Sequence, residues 1–259
     1  MKLILDNVTK SFDKKQVIKG ASFEFEQGYI YGLLGRNGAG KTTLFNLINE
    51  DLIADGGTIS IQEDNGTTRP ADYEDIGYVL STPIVPDFLT GRELLKFFTD
   101  INKDKIKDLK DADEYFDLVD IKKEDRDRLI KDYSHGMKNK MMLLLTIISN
   151  PPFWLLDEPL TSFDVVVANE MKELLKSLKK DRTIIFSTHI MELALSLCDK
   201  IVLLKGGKLE LLEPGEMSRE DFESYIIDVL KDEYANDDHA AAANSVPETA
   251  IPTTEEPKA

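Results

Sequence analysis

One stretch of the sequence has the residue types and spacing to bind phosphate. Gly35 to Thr42, Gly-Arg-Asn-Gly-Ala-Gly-Lys-Thr, matches the pattern G-x-x-x-x-G-K-[ST] without a departure. The glycines allow a curl in which successive N–H groups point at phosphate oxygens, and the N-terminus of a following helix adds partial positive charge. Lys41 would reach the β- and γ-phosphates, and the Thr42 hydroxyl would bind Mg²⁺. The stretch predicts an ATP site whose contacts are Asn37, Gly38, Gly40, Lys41, Thr42 and Thr43.

The flanking residues provide the context that such a loop needs. The apolar run Tyr29 to Leu34 predicts a strand that enters the loop, and Thr43 to Ile48 predicts a helix that leaves it. A glycine-rich turn without a ligand is the alternative. It would not require a strand before the loop and a helix after it.

Two acids follow a second apolar run. Phe153 to Leu156 is typical of a strand buried on both faces, and Asp157 and Glu158 close it. Residues at the carboxyl ends of parallel strands face the crevice where ligands bind. We expect Asp157 to hold the Mg²⁺ shell and Glu158 to polarise the water that attacks the γ-phosphate. A pair of solvated acids before Pro159 is the alternative.

His189 and Phe12 are further candidates with plain alternatives. His189 follows the buried strand Thr183 to Ser187, so it should lie at the same sheet edge, near the γ-phosphate and the attacking water. A lone histidine is more often a satisfied polar residue. Phe12 stands in the polar turn Ser11 to Lys15, where it could stack on a purine ring or anchor its own loop.

The order of the predicted elements indicates an α/β fold. Residues 1–31 read as short strands, which predicts an antiparallel β flank at the N-terminus. Charged amphipathic segments follow Thr90 as far as Lys131, which predicts a helical region at about 88–150. From Phe153 onward strands and helices alternate, so we expect a P-loop NTPase core with a mostly parallel sheet. No internal repeat is apparent.

Length and charge limit the classes of function. The chain has 259 residues, 42% of them hydrophobic, and a net charge of −16. That charge repels nucleic acid and anionic lipid at long range, so no nucleic-acid partner is expected. The single cysteine, Cys198, favours a reducing compartment such as the cytoplasm. No export signal is visible, and the longest apolar run falls short of the ~20 residues that span a bilayer.

The C-terminal part differs in composition from the rest. We expect residues 1–215 to form the nucleotide-binding domain and residues 216–234 to contain an amphipathic helix, because Phe222, Tyr225, Ile226 and Val229 fall at helical spacing. Residues 235–259 form an acidic segment with few large apolar residues, and we expect them to be disordered.

Taken together, these motifs resemble the ATP-binding subunits of ABC transporters, over about Leu3 to Glu213. The resemblance makes Phe12 the A-loop aromatic, Ser162-Phe163-Asp164 the D-loop and His189 the H-loop. Tyr133-Ser134-His135-Gly136-Met137 stands where the LSGGQ signature is expected. Ser134 and Gly136 match, and the resemblance implies that they meet the γ-phosphate bound by a second subunit.

Two departures accompany the resemblance. Tyr133, His135 and Met137 differ from the signature, as in drug and bacteriocin exporter ATPases of the ABC-2 type, to which the motifs are similar. Ser81 stands where the Q-loop glutamine is expected, after Ile76 to Leu80. Serine is too short to reach metal and water as glutamine does, so Thr82 or a water fills in, or the loop serves mainly as a coupling surface.

The resemblance implies an ATPase subunit that dimerises on ATP, as a homodimer rather than a heterodimer. It would drive a separate polytopic membrane permease from the inner face of the cell membrane, with export of a drug, peptide or lipid-like substrate favoured over import. The docking surface would lie near Ser81 to Leu95, with Arg92 exposed on it. A soluble ABC-type ATPase acting on ribosomes or DNA is the alternative, and a small-molecule kinase would leave the signature, the D-loop and His189 unexplained.

Overall fold

The structure of the protein is a computed structural model that describes residues 1–104, 106, 109–160, 163–215, 217–218 and 220–229. It divides at Gly215 into two compact units. The strands of the first unit are β1 (Lys2–Phe12), β2 (Lys15–Glu26), β3 (Ile30–Leu34), β4 (Gly56–Gln62), β5 (Thr68–Pro70), β6 (Ile76–Val79), β7 (Phe153–Asp157), β8 (Thr183–Thr188), β9 (Lys200–Lys205) and β10 (Lys208–Leu212). Its α-helices are α1 (Lys41–Ile48), α2 (Gly91–Asn102), α3 (Ala112–Leu118), α4 (His135–Ser149), α5 (Val165–Leu178) and α6 (Met191–Leu197). Short 3₁₀ helices span Tyr73–Asp75, Ile130–Asp132 and Lys179–Asp181.

The N-terminal strands form an antiparallel sheet in the order β2-β1-β4-β5. Leu3 and Leu5 point into the core, and their neighbours point away from it, as the period of two requires. The register of β1 shifts between Leu5 and Val8, where Asn7 has a positive φ of 49°. β1 and β2 are longer than the sequence predicts, so that only Asp13 and Lys14 remain between them.

The second sheet has the order β10-β9-β3-β8-β7-β6. Every neighbouring pair is parallel except β9 and β10. All residues of β3, β7 and β8 are buried, which is why they read as continuous apolar runs. The predicted α/β class with a mostly parallel sheet is confirmed. β5 and β10 were not predicted. β5 has only three residues, whereas the two-glycine turn before β10 was an available hairpin signal.

Parallel pairing brings four loops to one edge of this sheet. The carboxyl ends of β3, β6, β7 and β8 lead into Gly35, Leu80, Glu158 and His189 respectively. Because parallel strands end at the same edge, residues more than 100 positions apart in the chain meet there.

The helical region contains α2, α3 and α4 around an apolar cluster. Thr90 and Glu93 form a capping box at the start of α2, with each side chain bonded to the other residue's backbone N–H. Only α3 is helical between α2 and the 3₁₀ turn Ile130–Asp132 among the residues that the structure describes there. The charged side chains of this segment form ion pairs that join separate elements.

Arg92 belongs to these ion pairs, with its side chain 36% exposed, and its expected role on a docking surface stays a prediction. Its guanidinium donates to Asp127 at 2.8 Å and to Asp113 at 2.9 Å. The buried Arg126 also pairs with Asp113, at 3.1 Å, and both arginines lie over the ring of Phe116. Charge reversal at Arg92 would therefore disturb the folding of this region and would not probe docking alone.

The second unit is described at residues 217–218 and 220–229, of which 220–229 are helical. Ser218 accepts the backbone N–H of Asp221 at 3.1 Å and of Phe222 at 3.0 Å, which starts the helix. The expected helix end near Tyr234 and the expected disorder of 235–259 lie outside the described residues. In the parts of the chain that the structure describes, no helix has both the length and the apolar character to cross a membrane.

Candidate nucleotide site

The phosphate loop connects β3 to α1 through glycines that no other residue could replace without strain. Gly38 and Gly40 have φ of 82° and 106°, in the left-handed region. A Cβ on Gly40 would also lie 2.7 Å from Cγ1 of Val17 on β2. The N-terminus of α1 therefore lies directly against the antiparallel sheet, with backbone N–H groups turned toward the loop.

Lys41 holds its ammonium group inside the loop. Nζ donates to the carbonyl of Gly35 at 2.8 Å and to that of Arg36 at 3.2 Å, and the side chain is buried. The positive charge thus lies at the centre of the curl, where the phosphates of a nucleotide would be held.

Asp157 accepts two hydroxyl hydrogen bonds at the end of β7. Thr42 Oγ1 donates to Oδ2 at 2.8 Å, and Ser187 Oγ donates to Oδ1. Both the carboxylate and Ser187 are buried. The pair of Thr42 and Asp157 presents hard oxygen atoms at one point, as a Mg²⁺ ion requires.

Glu158 is held in place by the end of β8. Its φ is 52°, a strained value for a residue with a side chain, and its N–H donates to the carbonyl and to Oγ of Ser187, both at 3.2 Å. Oε1 lies 2.7 Å from His189 Nδ1. An ionised carboxylate can only accept, so this contact is a hydrogen bond when Nδ1 carries the proton.

These groups line a pocket of about 330 Å³. Its lining residues are Phe12, Val17, Asn37, Gly38, Gly40, Lys41, Thr42, Thr43, Ser81, Asp157 and Glu158. Phe12 is 44% exposed. The structure therefore brings together all the predicted nucleotide contacts apart from the signature residues, and it places His189 next to Glu158.

The signature residues lie elsewhere. Ser134 is the N-cap of α4, where its hydroxyl accepts the N–H of Met137 at 3.2 Å. Ser134 is exposed, and neither it nor Gly136 is among the described residues that line the pocket. Of the predicted D-loop, Asp164 caps α5 by accepting from Val166 and Val167, and Ser162 lies outside the described residues.

Three residues near the site were missed in the sequence. Val17 is an apolar residue of β2 and Ser187 a small residue of β8. Only the fold brings them near the nucleotide pocket. Tyr78 on β6 packs edge-on against Phe45 of α1, with ring centroids 5.9 Å apart, and burial together with the nearby Asp157 raises the pKa of its hydroxyl. Ser187 carried one available signal, since it stands two residues before His189 at the end of a buried strand.

Ser81 lines the pocket at the position where the resemblance expects glutamine. Thr82 is not among the described lining residues, so its suggested role as a substitute stays a prediction. The β6 end therefore contributes a short hydroxyl to the wall of the site.

The residues fit a magnesium ion without a protein cage. Within the described residues no group of three or more His, Cys, Asp or Glu side chains could hold a metal. Mg²⁺ needs no such group here, because it keeps several waters and takes phosphate oxygens besides one or two protein ligands. Thr42 and Asp157 would supply those ligands.

A phosphate loop at the carboxyl edge of a parallel sheet, with a magnesium-type aspartate and a glutamate next to each other at the end of β7, defines a P-loop NTPase. The model of the family described as ABC transporter matches residues 18–161. The ABC transporter ATP-binding protein NatA of Bacillus subtilis is 32% identical over 207 residues, which cover 76% of this chain and 82% of that protein. The chain therefore belongs to the ABC transporter family, and it is an ATPase.

Solved structures agree with the fold. The dimeric post-hydrolysis structure of the ATP-binding cassette MJ0796 bound to ADP and Pi has a TM-score of 0.68 at 22% identity, covering 82% of this chain and 99% of that one. The structure of cbiO1 from Clostridium perfringens, part of the ABC transporter complex cbiONQ, has a TM-score of 0.65 at 24% identity, covering 81% and 86%.

Proposed function

We propose that this chain binds Mg²⁺-ATP in the 330 Å³ pocket, dimerises around it and powers a separate membrane permease that exports a drug, peptide or lipid-like substrate. The observation that carries the proposal is the division of the site. The phosphate loop, Asp157 and Glu158 line one pocket, whereas the signature residues at the start of α4 lie outside it.

ATP binding follows from the arrangement of the loop. Lys41 and the N–H groups at the start of α1 would hold the phosphates, and Phe12 would stack on the adenine. Thr42 and Asp157 would hold Mg²⁺, which neutralises charge on the β- and γ-phosphates when bound. The Ser187 hydroxyl keeps the Asp157 carboxylate turned toward Thr42.

Hydrolysis follows from the pair at the ends of β7 and β8. Glu158 accepts a proton from the attacking water, and His189 fixes its carboxylate through the 2.7 Å contact to Oε1. The strained φ of Glu158 aims its side chain differently from that of Asp157, so two adjacent acids serve two different tasks.

Dimerisation follows from the position of the signature. The exposed Ser134 hydroxyl and the first N–H groups of α4 form a second helix N-terminus of the kind that binds phosphate. Because these groups lie outside their own chain's pocket, we expect them to meet the γ-phosphate held by a second copy. A homodimer satisfies both sites with one sequence.

The permease would bind an exposed apolar surface. We call the side chains of Ile84, Phe88, Phe97 and Ile101 the apolar patch; they are between 59% and 79% exposed. Phe97 and Ile101 are four residues apart and share one face of α2. Ile84 follows the pocket-lining Ser81 by three residues, and exposed apolar side chains suit an amphipathic permease segment. Export rests on the similarity around Thr90 to Glu93 and Tyr133 to Lys140.

Replacement of Glu158 tests this proposal. Glu158→Gln should retain ATP binding and slow hydrolysis by roughly 10²- to 10⁴-fold, because the general base is lost. With Mg²⁺ and ATP the variant should elute as a dimer in size-exclusion chromatography, and Ser134→Ala in the same background should weaken that dimer.

Glu170→Gln is the matched control, since Glu170 is an exposed acid on α5. It should hydrolyse ATP at the wild-type rate. Hydrolysis by Glu158→Gln within about twofold of wild type, or an ATP-bound variant that remains monomeric, would overturn the assignment.

A further inference from the structure

Phe12 lines the pocket from the end of β1, and its position there needs an explanation. It is not part of an apolar cluster of the described structure, and its side chain is 44% exposed. Because no apolar cluster among the described residues packs around the Phe12 ring, the backbone of Phe12 determines where the ring lies. What holds the last residues of β1 therefore decides where the Phe12 ring lies.

The antiparallel sheet does not hold that end on the β4 side. The last pair of the β1–β4 ladder is Thr9 with Gly56, the first residue of β4. Beyond Thr9, the groups of β1 that face this side have no strand to bond to. β2 pairs with this end, at Ser11 with Gln16 and at Phe12 with Lys15, so an unpaired backbone N–H on the other side would leave the end of β1 held from one side alone.

Asp55 replaces the missing strand. Its Oδ2 accepts the backbone N–H of Ser11 at 2.6 Å, its Oδ1 accepts Lys10 Nζ at 3.1 Å, and its own N–H donates to the Thr9 carbonyl at 2.9 Å. One residue thus contacts the three residues that precede Phe12.

Lys10 links Asp55 to the aromatic ring of Phe12. Its ammonium also donates to the carbonyl of Ile53 at 2.6 Å, and it lies 5.7 Å from the centroid of the Phe12 ring, within the range of a cation–π contact. Asp55 and Ile53 therefore fix the ammonium, and the ammonium in turn limits where the ring can move.

The Asp55 carboxylate keeps its negative charge near neutral pH. Hydrogen bonds from Lys10 and from the Ser11 backbone lower the pKa of Asp55 below its ordinary value. The carboxylate therefore stays ionised throughout the pH range in which the enzyme would work.

We propose that Asp55 is a positioning residue for base recognition: it holds Ser11 and Lys10 so that the Phe12 ring is fixed to stack on the nucleotide base. The inference rests on the proposed nucleotide pocket. Asp55 is not among the described residues that line the pocket, so it acts through Phe12.

The test measures the affinity for ATP and for CTP, which share the triphosphate and differ in the stacking area of the base. Asp55→Ala should weaken ATP binding by about tenfold, the scale of one base–aromatic stack. It should weaken CTP binding less, so that the preference for ATP falls. Asp55→Asn, which keeps acceptor capacity, should lie between Asp55→Ala and wild type.

A double substitution separates positioning from general damage. Phe12→Ala should reproduce the loss seen in Asp55→Ala, and the double variant should be no weaker than Phe12→Ala alone. Asp100→Ala, which removes a charge from the exposed end of α2, should leave both affinities unchanged. Thermal unfolding of each variant checks that it is folded.

The outcomes that overturn the inference are distinct. Unchanged ATP affinity in Asp55→Ala, an equal loss for ATP and CTP, or losses that add in the double variant would each contradict positioning through Phe12. Lys41→Ala tests the pocket separately, since it should weaken both nucleotides. If it weakens neither, the nucleotide site itself is wrongly assigned.

Discussion

Ser187 connects the two acids of the site through a single hydroxyl. The buried Oγ donates to Asp157 Oδ1 and accepts the N–H of Glu158 at 3.2 Å. Because Glu158 has a strained φ, its backbone stays there only while surrounding groups hold it. Ser187 therefore affects both the metal-binding acid and the general base without touching the nucleotide.

We expect Ser187→Ala to reduce the rate of ATP hydrolysis more than the affinity for ATP. The substitution removes one donor from Asp157 and one acceptor from the Glu158 N–H, and each lost hydrogen bond costs about 1 kcal/mol. Measurement of kcat and of the ATP dissociation constant checks the prediction. Ser177→Ala on α5 is the control, since that hydroxyl is exposed and bonds only locally to Leu174. An unchanged kcat would mean that backbone contacts alone hold Glu158.

At the scale of the elements, ion pairs decide the form of the helical region. Asp113 on α3 lies between Arg92 on α2 and Arg126 in the following loop. The hydrogen bond from Arg92, followed by that from Arg126, lowers the pKa of Asp113. A lowered carboxylate pKa stabilises the folded state above the unfolded pKa, and this contribution is lost as the pH falls through the lower folded value.

Asp113→Asn should therefore lower Tm near neutral pH, and the difference from wild type should shrink as the pH falls below about 4. Calorimetry across this pH range measures both values. Asp100→Asn removes an exposed acid from α2 and should change Tm little at any pH. A difference for Asp113→Asn that persists in acid would mean that shape, and not charge, is what the arginines recognise.

At the scale of the whole molecule, the proposed function requires an acidic chain to associate with a membrane. The net charge of −16 opposes adsorption to anionic headgroups, so we expect attachment under the proposed function to occur through a protein partner. The apolar patch is the surface that such a partner would cover. Membrane association should then depend on the partner and on those side chains.

We expect the chain to sediment with membranes only when its permease is co-expressed, and Phe88→Ser to reduce that fraction while leaving ATP affinity unchanged. Phe88 is 79% exposed, so the substitution costs the fold little. Tyr73→Ser is the control, because Tyr73 is also exposed but precedes β6, at the end opposite Ser81. Recovery of ribosomes or DNA with the chain, and of no membrane protein, would favour the soluble alternative.

The sequence by itself predicted which residues come together at the candidate site. Gly35 to Thr42 specify their own backbone geometry. Gly40 adopts the positive φ that the turn requires, and Lys41 bonds to carbonyls of the same loop. Asp157, Glu158 and His189 were predictable because each follows a buried apolar run, and parallel strands end at one edge. The same reasoning predicted the α/β class.

The tertiary structure alone decided which residues hold these groups in place. Ser187 meets Asp157 only because β7 and β8 are neighbours. Asp55 meets Ser11 only because β4 begins one residue later and leaves the end of β1 unpaired on the β4 side. The sequence did not show that Arg92 pairs with carboxylates of α3 and of the loop after it. These contacts join residues far apart in the chain, and hydrophobic periodicity carries no information about which distant partner a hydrogen-bonding side chain will find.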